Sequence, residues 1–262
     1  MTGLGGHIAA ANHARILTID IETMPHETYQ WDPRDEYTPA VRMKKRGRLG
    51  CFAAKWYGHR EMIFHATWQY GGEVRPVVQA AVDLLTEADV VVTYNGNKFD
   101  IPRLKGERVR EHIRPWTPFR SVDLYPIARG MGWPYKSLDE VCHELGLPGK
   151  MKTGGFELWL DVIAGDPRAQ AKMERYNGVD VRRTEQVYTH FRPDLPGTAN
   201  LALWASGEGT ELACPNCGSK RRVSVGDVRT VQTTYGAFRC RTCGTVYRAN
   251  FIKHRVSTRV AR

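Results

Sequence analysis

Nine residues of this chain have the types and spacing to do chemistry with metal ions, and they fall into an oxygen set and a sulfur set. Asp20 and Glu22 close the apolar run Ile16-Leu17-Thr18-Ile19, one residue apart from each other. In a strand, residues two apart face the same side, so the run predicts a pair of carboxylates leaving one sheet face near the strand's exit. Paired like charges repel unless a cation sits between them, and oxygen-only ligands suit Mg²⁺ or Mn²⁺. Asp100 follows the sharp break Asn95-Gly96-Asn97. Asn97 reads as a helix N-cap, which puts Asp100 in the first turn, where the helix dipole favours an anion. Tyr176 and Asp180 are four apart in a long helical pattern and therefore share one face, a turn from each other. Taken singly, each motif also fits a strand end, a cap or a solvated helix face. Asp123 and Asp161 are further carboxylates, with nothing around them to favour metal binding.

The sulfur set is Cys214-Pro-Asn-Cys217-Gly218 and Cys240-Arg-Thr-Cys243-Gly244, two CxxCG pairs separated by 22 residues. That spacing matches a four-thiolate zinc ribbon, with glycine allowing the tight turn behind each pair of ligands. No secretion signal is evident, so metal is favoured over disulfides, and the zinc would be structural, with no open coordination position. The remaining cysteines, Cys51 and Cys142, sit in apolar segments and read as core.

The elements that must hold these residues can be read in outline. Residues 1–14 are Gly/Ala/His-rich and read as a flexible N-terminus. A polar loop from Met24 to Tyr37, containing Pro25 and Pro33, follows the first strand. Arg42, Lys44, Lys45, Arg46 and Arg48 form a basic run that suits either a nucleic-acid backbone or a solvated loop. Cys51–Trp56 and Met62–Trp68 read as strands joined through Tyr57-Gly58-His59-Arg60. Val77–Leu85 has helical spacing, and Val90–Tyr94 is a β-branched strand. A helix to about His112, a short strand at Ser121–Leu124, and helices over Leu138–Leu145, Phe156–Ile163 and Ala169–His190 fill the middle. Gly178 inside the last of these costs about 1 kcal/mol relative to Ala, tolerable if something must approach closely there. A linker spans 193–210, with an apolar anchor at Leu201–Trp204, and Arg222–Val225 and Val228–Thr234 read as a hairpin between the cysteine pairs.

In their order and setting, Asp20/Glu22, Asn95…Phe99-Asp100 and Tyr176…Asp180 resemble the DEDD superfamily of 3′→5′ exonucleases. The tyrosine subclass, which includes the proofreading domains of family A and B DNA polymerases and the RNase D-like nucleases, is the better match. The second motif looks most like family B. The histidine subclass would place His where Arg175 stands, whereas Tyr176 fills the tyrosine position. The resemblance implies an α/β, RNase H-like mixed sheet flanked by helices over residues 15–192, beginning with a three-strand antiparallel meander, and the cysteine pairs add a small C-terminal zinc ribbon at 211–262.

It also implies the chemistry: two-metal-ion hydrolysis of DNA phosphodiesters from single-stranded or frayed 3′ ends, releasing nucleoside 5′-monophosphates. Asp20 would bridge two Mg²⁺ or Mn²⁺ ions, Glu22 and Asp180 would complete the site that activates water, and Asp100 would hold the second ion directly or through water. Tyr176 would orient that water, and Thr23, Asn95 and Phe99 would contact the terminal nucleotide. An RNA-trimming exonuclease and a non-catalytic nucleic-acid binder on the same scaffold are the rival readings.

Charge supports a polyanionic partner. The 262 residues carry a formal charge of +10, and from Ala205 onward eleven Lys/Arg face only Glu208, Glu211 and Asp227, so +8 lies in the tail. DNA is expected ahead of RNA, with a DNA polymerase or replication protein as a possible protein partner and proofreading supplied in trans. Tyr235, Phe238 and Tyr247 are open to two roles, stacking on unpaired bases or forming the ribbon's core. With no apolar stretch of membrane-spanning length, a cytoplasmic protein without membrane contact is expected.

Overall fold

The run Ile16–Thr23 (β1) is the central strand of a five-stranded sheet in the computed structural model, which describes residues 14–32, 34, 37–195 and 199–257. The expected flexible N-terminus before residue 14, Pro33, linker residues 196–198, and Arg259 and Arg262 of the basic tail lie outside the described residues. Two compact units divide the chain, one spanning Ile16–Val187 and the other taking in Tyr188–Arg262.

In the first unit, β1 is followed by a small antiparallel pair, β2 (Glu27–Thr28) and β3 (Met43–Lys45), and then by β4 (Leu49–Trp56) and β5 (Ile63–Ala66). Next come α1 (Arg75–Glu87), β6 (Val90–Thr93), α2 (Asp100–Arg110), β7 (Arg120–Asp123) and α3 (Leu124–Gly130). The unit closes with α4 (Leu138–Glu144), α5 (Glu157–Ile163) and most of α6 (Pro167–Phe191). The sheet order is β5-β4-β1-β6-β7, with β1, β4 and β5 antiparallel to one another in sequence and β6 and β7 parallel to β1. This is an RNase H-like α/β fold.

Alternation along β1 decides where the acids go. Leu17, Ile19 and Ile21 enter a core with Val77, Val78, Ala81 and Leu85 of α1 and Leu104 of α2. Asp20 and Glu22 must therefore leave by the opposite face. On that side Cys51 and Ala66 pack with Leu158, Val162, Ala169 and Met173 of α5 and α6, and Tyr176 lies against this cluster. The residues paired with the two acids across β4 are Ala53 and Cys51, small enough to leave space above the carboxylates.

Several local expectations need correction. The strand read over Met62–Trp68 ends at Ala66, and Thr67–Tyr70 turns into a 3₁₀ helix closed by Gly71 in the left-handed region. Asn97 is not the cap of α2: the helix begins at Asp100, its cap position is Phe99 without a side-chain bond, and Asn97 Oδ1 accepts from Ser121 Oγ. The competing interaction comes from Asp123, which accepts from the Asn95 and Asn97 amides and fixes the turn by itself. Of the basic run, Arg48 pairs with Glu107 and Glu111, and Lys44 and Lys45 with Glu27.

In the second unit, 3₁₀ turns at Leu201–Trp204 and Thr210–Leu212 precede an antiparallel sheet of β8 (Arg222–Arg229), β9 (Thr233–Cys240) and β10 (Val246–Arg255), ordered β10-β9-β8. The expected anchor is fastened through buried Leu201, whose amide donates to Pro215 O. Sequence reading broke the first strand at Gly226-Asp227, yet β8 runs on to Arg229. Gly226, at φ 100°, marks a bulge, as glycine often does within a strand. Among the described residues, no helix is long and apolar enough to cross a membrane.

Candidate active site

One carboxylate oxygen each from Asp20, Glu22 and Asp180 lie within 4.8 Å of one another. The first two come from the end of β1 and the third from α6, whose turn-by-turn repeat also presents Tyr176. Asp100 is not one of that group. Its Oδ1 accepts from the Ile21 amide at 3.0 Å, where β1 has run past the end of its pairing with β6 and leaves that donor without a strand partner. The bond places Asp100 beside the backbone between Asp20 and Glu22, and its charge acts on both.

The cluster is electrostatically strained. Burial, then the charges of Asp100, Glu22 and Asp180, push Asp20 well above the usual carboxylate range. Burial and the charge of Asp180 raise Glu22 to about 8. Asp100 rises to about 6, driven by burial and held back by the Ile21 amide. Asp180 is also raised, by burial against the pull of Lys150. Its Oδ1 is buried with no hydrogen-bond partner.

Two residues that sequence reading gave no role organise this site. Lys150 places its Nζ 2.6 Å from Asp180 Oδ2 and 3.3 Å from the Tyr176 hydroxyl. Burial pulls its ammonium down, but Asp180 and Tyr176 more than offset this, so the charge is retained. Asn177 donates from Nδ2 to Asp20 Oδ2 at 2.6 Å and to Asp20 O at 3.2 Å, fixing that carboxylate's rotamer. A lysine in a loop and an asparagine in a helix carry no signal of their own, although the four-residue spacing that flagged Tyr176 and Asp180 bracketed Asn177. Tyr176, raised by burial and by Asp180, stays a protonated phenol and so a donor at neutral pH.

These residues fit divalent cations. Three hard oxygen ligands converge, Lys150 offsets their repulsion only in part, and one buried oxygen lacks any hydrogen-bond partner, which is the donor set that Mg²⁺ or Mn²⁺ takes.

The expected substrate-contacting residues divide. Thr23 lines a cleft of about 400 Å³ with Met24, His26, Arg103, Phe156 and Trp159, and its carbonyl accepts from Trp159 Nε1 at 3.3 Å. Phe99 is exposed beside the Arg103 guanidinium, 5.3 Å from its ring centroid. The backbone of Asn95 is held by the turn, with φ at 65° and its N–H donating to Asp123 Oδ1.

In the second unit, the sulfurs of Cys214, Cys217, Cys240 and Cys243 also lie within 4.8 Å of one another. Cys214–Cys243 and Cys217–Cys240 are each 3.6 Å apart, far beyond a disulfide bond. Four sulfurs about 2.3 Å from one tetrahedral ion would be about 3.8 Å apart, so the set fits a thiolate-bound metal. Cys51 and Cys142 are buried core residues, as expected.

Among solved structures, the family B DNA polymerase from the hyperthermophilic archaeon Pyrobaculum calidifontis shares this fold. The TM-score is 0.52 at 23% identity, over 73% of this chain and 25% of that one, so this chain spans about a quarter of the polymerase's length. No curated protein matches the sequence. The RNase_H_2 family model, of the RNase_H superfamily, matches residues 46–192, a stretch that contains Asp100, Tyr176 and Asp180 and starts beyond β1. That match covers more than half of the chain, and with the β5-β4-β1-β6-β7 sheet beneath it, the chain belongs to the RNase_H superfamily.

Proposed function

We propose that this chain is a metal-dependent 3′→5′ exonuclease of the tyrosine subclass, acting on single-stranded or frayed DNA ends and releasing nucleoside 5′-monophosphates. The observation that carries the reading is the convergence of Asp20, Glu22 and Asp180 within 4.8 Å, with Tyr176 a turn from Asp180 on the same helix. When bound there, divalent ions supply charge stabilisation on the phosphoryl oxygens and a water of lowered pKa.

The chain's own residues do the rest. Asp20, Glu22 and Asp180 are the proposed ligands, Asp100 supports them through the Ile21 amide, and Asn177 holds Asp20 in its ligating rotamer. Tyr176, kept protonated, orients the attacking water rather than deprotonating it. Lys150 lies beside Tyr176 and Asp180, where its ammonium adds positive charge next to the phosphate that is attacked. The cleft of Thr23, Phe156 and Trp159 receives the terminal base, with Arg103 and Phe99 at its edge. The four cysteines hold one structural Zn²⁺.

End-labelled DNA and RNA strands with Mg²⁺ or Mn²⁺ test this. A metal-dependent ladder shortening from the 3′ end of DNA, absent in Asp20→Ala and Asp180→Ala, is expected. Cleavage that survives both substitutions, or none on any strand, would sink the assignment, and faster trimming of RNA would reassign the substrate.

A further inference from the structure

The two faces of the β8–β10 sheet are chemically unlike. One is self-satisfied: Phe238 and Tyr247 pack with ring centroids 5.9 Å apart, and Tyr247 lies against the cysteines and donates to Leu212 O at 2.9 Å. On the same face Asp227, the only acid between Arg222 and Arg255, pairs with Lys253 at 2.7 Å. Phe238 and Tyr247 are therefore core.

The other face has no such closure. Tyr235 stands in register between Val228 of β8 and Ile252 of β10, which are 38% and 48% exposed. The Arg248 guanidinium lies over the Tyr235 ring, 3.9 Å from its centroid. Alternation puts Arg239 on this face, four residues from Tyr235, and Arg255 there too, opposite Thr233. Three arginines thus surround an accessible aromatic and aliphatic row with no carboxylate from the three strands among them. A purely apolar partner would leave those arginines desolvated without counter-charge, whereas a polyanion with flat apolar faces matches both components.

We propose that this face is a docking surface for an unpaired DNA strand, with bases stacked on Tyr235 and resting on Val228 and Ile252, and phosphates on Arg239, Arg248 and Arg255. Sequence-tolerant binding follows, because every base has a stacking face. The inference rests on the nuclease reading only for its polynucleotide partner.

The test is fluorescence anisotropy of a labelled thymidine oligonucleotide with the full chain carrying Asp20→Ala, so that bound strands stay intact, across a salt series. Tyr235→Ala should weaken binding about tenfold and Tyr235→Trp should restore it. Arg248→Ala should lower the slope of log affinity against log salt by about 1. Arg255→Glu should cost more than Arg229→Glu, which reverses a charge on the opposite face. Retained zinc shows that each variant is folded, and if Tyr235→Ala loses its metal, the two charge reversals decide. Parent affinity in Tyr235→Ala, or equal losses from the two reversals, overturns the proposal and leaves the face to a polypeptide, while tighter binding of a labelled uridine oligonucleotide of the same length, measured in parallel, overturns the choice of DNA. A parent chain that binds strands without cutting them sinks the nuclease reading and leaves this one standing.

Discussion

The carboxylate cluster and the cysteine cluster are both metal-shaped, but they stand in opposite relations to their surroundings. Asp20, Glu22 and Asp180 are brought from residues 160 apart by a sheet and helices whose apolar core, with Leu17, Ile19, Phe52, Val78 and Leu85 fully or almost fully buried, exists for its own reasons. There the fold makes the site, at the expense of packing like charges together. Around the cysteines the core consists of the four sulfurs with the partly buried Tyr247 and Phe238 beside them, and β8 and β10 are mostly exposed. Here the site makes the fold. A metal should therefore relieve strain in the first unit and supply most of the stability of the second.

The largest effect that could break this contrast comes from the thiolates. Cys217→Ser or Cys240→Ser should abolish metal retention and unfold β8 to β10, since structural zinc contributes about 10–16 kcal/mol in small modules. Hydrogen exchange followed by mass spectrometry should show these strands losing protection while β1, β4 and β6 keep theirs. Protected β8–β10 amides in a metal-free variant would mean that the sheet holds itself.

The carboxylates predict a different signature, in pH. Glu22 titrates at about 8 when folded against 4.5 when free, so the stability it contributes is complete below about pH 4.5 and is lost as pH rises through about 8. In Mg²⁺-free buffer, urea unfolding of the first unit should weaken between those limits by up to about 1.4 kcal/mol per pH unit for this one proton. Mg²⁺ should cancel the loss, because binding displaces that proton, and Glu22→Gln should remove Glu22's share without metal. A flat profile in the metal-free parent would show that the cluster is not strained.

Asn177 sharpens the same point at smaller scale. Because it fixes Asp20 through two hydrogen bonds, Asn177→Ala should raise the Mg²⁺ concentration for half-maximal hydrolysis about 10- to 100-fold, the usual penalty for losing a group that orients a ligand. An unchanged Mg²⁺ requirement would leave Asn177 a packing residue.

What could be read from the sequence follows from how local each signal is. β1, α1, β6 and α6 were legible because burial writes period 2 or 3.6 into their apolar residues, and the paired cysteines because their ligand spacing is contiguous. The convergence of Asp180 on Asp20 was reachable only through resemblance, since no local pattern encodes a contact 160 residues apart. β10 went unread because only Ala249 of its ten residues is buried, so no apolar alternation marks it. Lys150 and Asp123 were missed for a related reason: each acts through bonds to residues distant in sequence, from positions that look like ordinary loop and strand end.

Gly178 gives the smallest effect and the finest test. Its place between Asn177 and Asp180 suggested a backbone that something must approach closely, yet a Cβ there would lie 3.6 Å from Met62 Cγ and 3.8 Å from Arg182 Nη2, both ordinary contacts. The protein's own packing therefore does not require glycine, and the helix bears its conformational cost without need. Gly178→Ala should raise the stability of the first unit by about 0.5–1 kcal/mol in urea titrations, with hydrolysis unchanged. Stability gained with turnover lost would carry a different meaning: the space above Gly178 would then belong to the incoming strand, and the helix would keep its glycine for the substrate.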